Sequence, residues 1–299
     1  NKDFDAQIPV EMTSVAPEIT EAAAREQYKT ISKYTTKTTS NSKRNTNVRL
    51  AAEALNGTIV QPGEEFSFNE VVGQRTEEKG YQAAAAYSSG EVVQEIGGGV
   101  CQISSTLYRV VFQSGMEITY RRSHTFEPNY VTPGQDAAIS WEQPDFRFVN
   151  TSSAPIGIRA SYSNRKTTVA IYGVPVLEEG VTWSLESEKV EELEPPESTY
   201  EEDPTLAPGT EVVKKAGTKG SRWVTYKVVK KNGEVIERTE DHSKEYKGHA
   251  AIIRRNSGKT QVNETSAVAK TTAAATVDGM PDDYVPGQKE KVAPESSAQ

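Results

Sequence analysis

The sequence carries one cysteine, Cys101, in 299 residues. A lone thiol excludes an internal disulfide framework and a zinc site built on cysteines. Histidine is scarce too, with only His124, His242 and His249. Hydrophobic residues make up 35% of the chain, below the usual roughly 45–50% that also counts glycine. A packed core is expected, with part of the chain outside it. No stretch approaches the ~18 apolar residues of a membrane-spanning helix. Basic charge is in deficit, 34 Lys and Arg against 42 Asp and Glu, for a net charge of -8. No basic face is offered to a phosphate backbone, which argues against nucleic acid as the main partner. The first residue is Asn1 and no signal peptide is visible. The expectation is a mature form or a piece of something longer, with any anchor or signal upstream.

At about 100–200 residues per domain the length calls for two or three domains. In residues 1–40, Phe4, Ile8 and Val10 alternate like a short strand that Pro9 and Pro17 interrupt, and residues 19–33 read as helical. This is expected to be the end of a preceding domain and a connecting helix, with an exposed strand or loop over 34–43. Over 41–178 the patterns tighten. Val48, Ala51, Ala52 and Leu55 recur at helical spacing ahead of Gly57. Ile103, Leu107, Val110 and Val111 make a second helical stripe that Gly115 would end. Strand-like runs follow at 117–122, 137–141, 146–149, 156–162 and 167–172. Helices early and strands late give an α+β domain, mixed helix and antiparallel sheet.

Between residues 186 and 203 lie nine acidic residues, one lysine and Pro195-Pro196. Such a run repels itself, so an extended linker is expected at about 179–198. Beyond it, runs at 223–231 and 234–240 flank Asn232-Gly233, a two-residue hairpin signal, and 250–254 reads as a last strand. A small all-β module is expected over 199–256. From Ser257 onward there is no Leu, Ile, Phe or Trp, and 257–299 is expected to be a disordered tail.

The chemistry concentrates at Gly97-Gly98-Gly99-Val100-Cys101-Gln102, directly before the second helical stripe. Cys101 is expected at a helix N-terminus, where unpaired N–H groups and the helix dipole favour a thiolate. The backbone amides around Gly98, Gly99 and Gln102 are candidate donors to an acyl-transfer oxyanion. A thiolate nucleophile needs a base, and His124 is the one histidine of the α+β domain. Asp136 follows the Pro133-Gly134 turn, a carboxylate available to orient an imidazole. Ser104 and Ser105 are candidate hydroxyl donors, and Arg122, beside Arg121, a candidate for a substrate carboxylate. Each residue also has a plainer reading. Cys101 can be a small core residue, and His124 a structural strand end. Asp136 can close a turn, Ser104 and Ser105 can face solvent, and Arg122 can sit on a solvated edge.

Asn56-Gly57-Thr58, Pro62-Gly63-Glu64, Phe66-Ser67-Phe68-Asn69, Arg75-Thr76 and Gly80-Tyr81 resemble the VanW domain. So do the Gly97–Gln102 run, Ser104-Ser105-Thr106-Leu107-Tyr108, Arg122, His124, Tyr130, Gly134 and Asp136-Ala137. Asp203-Pro204, Pro208-Gly209-Thr210, Gly217, Gly220, Gly233 and Tyr246 resemble a G5 domain. The start of the chain resembles the end of the peptidoglycan-binding domain that often precedes VanW. The resemblance implies a cysteine-dependent L,D-transpeptidase that forms 3-3 peptidoglycan cross-links between stem tetrapeptides. Cys101 would be the nucleophile and no metal or cofactor would take part. It implies an extracytoplasmic, cell-wall location in a Gram-positive bacterium, with glycan strands as a further partner of the G5 module. The Ser/Thr-His-Gly-Cys motif of the better-known L,D-transpeptidases is missing, so this would be a second fold for that chemistry. The rival readings are a non-enzymatic cell-wall binding protein and an L,D-carboxypeptidase.

Overall fold

The computed structural model describes residues 20–22, 28–88 and 91–258. The expected domain remnant before residue 20 and most of the expected tail lie outside the described residues. Strand β1 (Lys29–Lys37) leads into helix α1 (Ser42–Leu55), followed by β2 (Ile59–Val60), β3 (Glu65–Ser67), the short helix α2 (Phe68–Val72), and the ribbon β4 (Ala83–Ser88) with β5 (Glu91–Ile96). Helix α3 (Cys101–Gln113) comes next, then β6 (Glu117–Tyr120), β7 (Arg147–Val149), β8 (Ile156–Ser163) and β9 (Lys166–Gly173).

Asn41 caps α1 by accepting from the Arg44 N–H at 2.8 Å. The stripe Val48, Ala51, Ala52 and Leu55 is buried. The main sheet runs β1-β9-β8-β2, all antiparallel. Alternation along β8 and β9 sends Ile156, Ile158, Val169 and Ile171 into the core. Helix α3 is buried along nearly its whole length and lies against β1 and β9. A helix enclosed on all sides must satisfy its polar residues internally. Ser104 and Ser105 therefore do not face solvent; both are fully buried and bonded to Ala137.

The helix expected over 19–33 does not extend that far. From Lys29 the chain is strand, because Thr30, Ile31, Thr35 and Thr36 are β-branched and Ser32 and Thr36 turn inward onto α3. Ser32 Oγ donates to Val110 O at 2.8 Å, and Gln102 Nε2 donates to Thr36 Oγ1 at 3.0 Å. Residues 137–141, expected as a strand, form none. Their backbone groups are taken by Ser105 at Ala137 N (3.0 Å), by Arg122 O at Ala138 N (2.8 Å) and by Asn69 at Ser140 O (2.7 Å).

The acidic stretch is not a linker. It lies largely in β10 (Val181–Leu193), which pairs along its length with β13 (Gly220–Lys231), itself paired with β14 (Glu234–Tyr246). Neighbouring cations remove the repulsion: Arg238 meets Glu188 at 2.5 Å, Arg222 meets Glu191 at 2.8 Å and Lys219 meets Glu192 at 2.8 Å. Each such exposed pair contributes little on its own, because solvent screens it. The strand is held by its ladder and by Leu185 and Trp183, which turn inward. A second sheet joins β11 (Thr199–Glu202), β15 (Ile252–Arg255) and β12 (Glu211–Lys215).

This β module is seated on the first domain. Leu185 belongs to the same buried cluster as α3, and the Trp183 ring lies 6.0 Å from that of Phe112. His249 stacks on Phe126 at 4.3 Å, Lys247 N donates to Thr125 O at 2.8 Å, and Trp223 Nε1 donates to Glu127 at 2.9 Å. A Cβ at Gly134, where φ is +90°, would lie 2.1 Å from Thr225 Oγ1, so only glycine lets β13 approach this turn. Leu185→Ala is expected to lower stability by about 2–5 kcal/mol within a single cooperative urea transition. Two separate transitions, with the first domain unchanged, would show that the domains do not share this contact.

Candidate active site

Cys101 is the first residue of α3. Gly97 and Gly99 take positive φ, +87° and +99°, to turn the chain from β5 into the helix. Cβ atoms at Gly98 and Gly99 would lie 2.4 Å from Ala84 O and 2.7 Å from Arg44 Cγ, so the glycines also let this turn seat against β4 and α1. Cys101 itself is 3% exposed. It borders a cleft of about 260 Å³ whose walls include Arg75, Glu95, Gly97, Gly99, Ser140 and Trp141. The thiol is thus reached through the cleft rather than from the open surface.

The Cys101 thiol donates to Ile139 O at 3.3 Å, and its interaction with the His124 side chain helps to raise that imidazole's pKa. His124 follows β6 and is buried. Its Nδ1 is 2.5 Å from Asp136 Oδ2, and its own backbone N–H donates to the same oxygen at 2.7 Å. The Tyr130 hydroxyl lies 3.3 Å from Nε2. The three residues chosen from sequence therefore form one line, Cys101 to His124 to Asp136. The ring is clamped by the carboxylate on one nitrogen, as a general base in a nucleophile–base–orienter arrangement requires.

The electrostatics favour a charged imidazole. Burial alone would lower the His124 pKa, but the hydrogen bond and charge of Asp136, together with Cys101, outweigh it and hold the ring well above its ordinary value. Burial would raise Asp136, yet its hydrogen bond and charge contact with His124, aided by Arg121, keep the carboxyl well below the usual range. Tyr130 is pushed up by burial and stays a phenol.

The other sequence candidates divide. Gly99 borders the cleft. The Gly98 N–H donates to Glu95 O at 3.0 Å and the Gln102 N–H to Gly99 O at 3.1 Å, so both amides are already engaged in the turn. The Gln102 side chain faces away, bonded to Thr36 and Arg44. Ser104 and Ser105 pin Ala137, beside Asp136, rather than facing the cleft. The Arg122 side chain is exposed and outside the cleft wall. Arg121 is a brace, its guanidinium 2.8 Å from His242 and over the Tyr108 ring at 4.7 Å.

Two residues with no role assigned from sequence stand out. Arg75 lines the cleft and is fixed by Asn69 Oδ1 at 2.9 Å and Gly73 O at 3.1 Å. Burial lowers its pKa, against the charges of Cys101, Tyr81, Asp145 and Glu95. Tyr246, from β14, donates to Asp136 Oδ1 at 2.6 Å. Both lie in motifs that resemble family patterns, the only signal the sequence offered for them. Among the described residues no three of His, Cys, Asp and Glu converge as a metal site.

Residues 43–172 match the family model described as "VanW like protein", and residues 186–255 that of the G5 domain. The chain holds a VanW domain followed by a G5 domain. Over 138 residues it is 45% identical to the uncharacterized protein YoaR of Bacillus subtilis (strain 168), covering 46% of each. Over 125 residues it is 31% identical to the vancomycin B-type resistance protein VanW of Enterococcus faecalis (strain ATCC 700802 / V583), covering 40% of this chain and 46% of that one. The chain thus spans about half the length of these curated relatives. An IgA1 protease G5 domain structure matches 25% of this chain and 88% of its own at 20% identity and TM-score 0.19. The structure of HP0197-G5 matches 25% and 97% at 21% identity and TM-score 0.17. VanW and G5 domains are typical of cell-wall-associated proteins. No helix among the described residues is long and apolar enough to cross a membrane.

The VanW domain's buried pair makes a prediction about pH. A carboxylate held below its unfolded value of about 3.9 stabilises above that pH and less as pH falls through the folded value. An imidazole held above its unfolded value of about 6.5 stabilises below that pH and less as pH rises through the folded value. The contribution is fullest between about pH 4 and 6.5. Urea stability of the wild-type chain is expected to fall as pH rises beyond this window, and His124→Gln to flatten that limb. An identical limb in His124→Gln would mean that another group causes it.

Proposed function

We propose that this protein is a cell-wall acyltransferase, an L,D-transpeptidase acting on peptidoglycan stem tetrapeptides with Cys101 as nucleophile. The observation that carries this is the buried His124–Asp136 pair, 2.5 Å apart, set behind a Cys101 that lines the cleft and interacts with the imidazole. The Cys101 thiolate attacks the carbonyl between the L-centre of meso-diaminopimelate and the terminal D-Ala. His124 protonates the departing D-Ala amine as the thioester forms. The Gly99 amide, on the cleft wall, is the candidate donor to the oxyanion. The side-chain amine of a second stem then attacks the thioester and gives its proton to His124 as the sulfur leaves, which restores the thiolate–imidazolium pair. No bond is made at the expense of a nucleotide, since one peptide is exchanged for another.

Arg75 and Glu95 place opposite charges on the cleft wall. We assign Arg75 to the carboxylate of the D-amino acid, the role read from sequence for Arg122. Burial raises the Glu95 pKa, while the Arg75 charge opposes this. Trp141, 43% exposed, gives the rim an apolar surface for the stem.

The test is incubation with tetrapeptide muropeptides, with D-Ala release and dimers read by mass. Cys101→Ala is expected to abolish both, and His124→Ala to slow release by about 10²–10⁴. Arg75→Gln is expected to raise KM more than it lowers kcat. Release without dimers would assign an L,D-carboxypeptidase. No release, with muropeptides still retained by the protein, would leave a binding module.

A further inference from the structure

The Asp136 carboxylate is completed from the other domain. Oδ2 accepts the two His124 N–H groups, and Oδ1 accepts the Tyr246 hydroxyl at 2.6 Å. Tyr246 is the last residue of β14 and has no exposed surface. Its oxygen also accepts the Gly134 N–H at 2.6 Å, so it sits between the turn that carries Asp136 and the carboxylate itself. His242, four residues earlier on the same strand, is 2.9 Å from Gly134 O and 2.8 Å from Arg121. Arg121 in turn donates to Asp136 O. Lys244 approaches the Tyr246 ring at 5.9 Å. Strand β14 thus holds both ends of the loop that presents Asp136.

We propose that Tyr246 is a positioning residue of the VanW active site, supplied by the G5 domain, and that the site is complete only when the two domains are docked. The phenol fixes Oδ1, which keeps Oδ2 aimed at Nδ1 and the imidazole aimed at the Cys101 sulfur. Without it, a buried carboxylate oxygen loses its donor and the carboxylate is free to rotate. The G5 domain is then part of the chemistry's support, besides any wall binding. Anything that loosens the docked pair weakens the thiolate–imidazolium pair from behind, without touching the cleft.

This rests on reading Cys101, His124 and Asp136 as a working triad, so the test uses one readout that needs no substrate. Tyr246→Phe keeps the ring and removes only the hydroxyl. The pH profile of Cys101 alkylation by iodoacetamide is expected to move up by about half to one pH unit, toward the free-thiol value of about 8.5. D-Ala release is expected to lose about tenfold in kcat with KM within about twofold, the pattern of lost transition-state support. A ring that serves as packing alone would leave both unchanged, and an unmoved alkylation profile in folded Tyr246→Phe overturns the proposal. A shifted profile in a protein that releases no D-Ala supports Tyr246 while overturning the transpeptidase reading. If Tyr246→Phe does not fold, 3,5-difluorotyrosine at position 246 keeps the shape and alters only donor strength. A displaced profile then supports the proposal, and an unchanged one overturns it.

Discussion

A carboxylate with no exposed surface, Asp136, is the constraint on which this structure turns. Burying such a charge is costly unless every lone pair finds a donor. Here the donors are two N–H groups of His124 and the hydroxyl of Tyr246. They come from the segment after β6 and from a different domain. Satisfying one side chain therefore fixes the imidazole's tautomer, the path of residues 121–136 and the seating of the G5 module together. The same charge makes an imidazolium tenable in a place where burial disfavours it.

Helix α3 serves that arrangement from the other side. Its first residue is the cysteine, and its next turn carries Ser104 and Ser105, whose hydroxyls bind Ala137. Cys101 and Asp136 are thus tied to one helix, although 35 positions apart in the sequence. Because α3 lies in the core against β1 and β9, its start cannot drift relative to the sheet. Rigid placement of this kind is what lets a small displacement matter at a reacting atom.

Local signals were legible where local physics decides. The stripe over 48–55, the glycine turn before Cys101, the α3 stripe and the Asn232-Gly233 hairpin all appear where their periodicity or turn chemistry puts them. Cys101, His124 and Asp136 also lie beside one another, with Cys101 alone of the three on the cleft wall, since a unique cysteine and a unique histidine of one domain leave few combinations. Signals that depend on distant partners were misleading. Residues 29–33 carry helical spacing yet pair with β9, because Ser32 and Thr36 find α3 only in the folded state. The acidic run repels itself in isolation and reads as a linker; Arg222, Arg238 and Lys219, from later in the chain, turn it into a strand. Ser104 and Ser105 look like surface positions because the residues that bury them lie some thirty positions away or more. Tyr246 had no sequence signal toward the site, since only domain docking brings it to Asp136.

A second buried carboxylate, Asp145, obeys the same rule. It accepts from Ser67 Oγ at 2.6 Å, Asn69 N at 2.9 Å and Arg147 Nε at 2.9 Å. Asn69, so fixed, donates to Ser140 O at 2.7 Å and accepts from Arg75 at 2.9 Å. Asp136 thus sets the position of the His124 imidazole, and Asp145, through Asn69, sets Arg75 and the irregular segment around Ser140 on the cleft wall. The two carboxylates flank residues 137–141, a segment that forms no strand and takes its backbone bonds from side chains and from loop carbonyls. Irregular backbone is tolerated in a core only when such partners are present. Here it places Ile139 O against the cysteine sulfur and Trp141 at the rim. The cleft wall and the His124–Asp136 pair are then separately anchored on either side of one short segment, so substitutions at Arg75 or Asn69 need not disturb the buried pair beside Cys101.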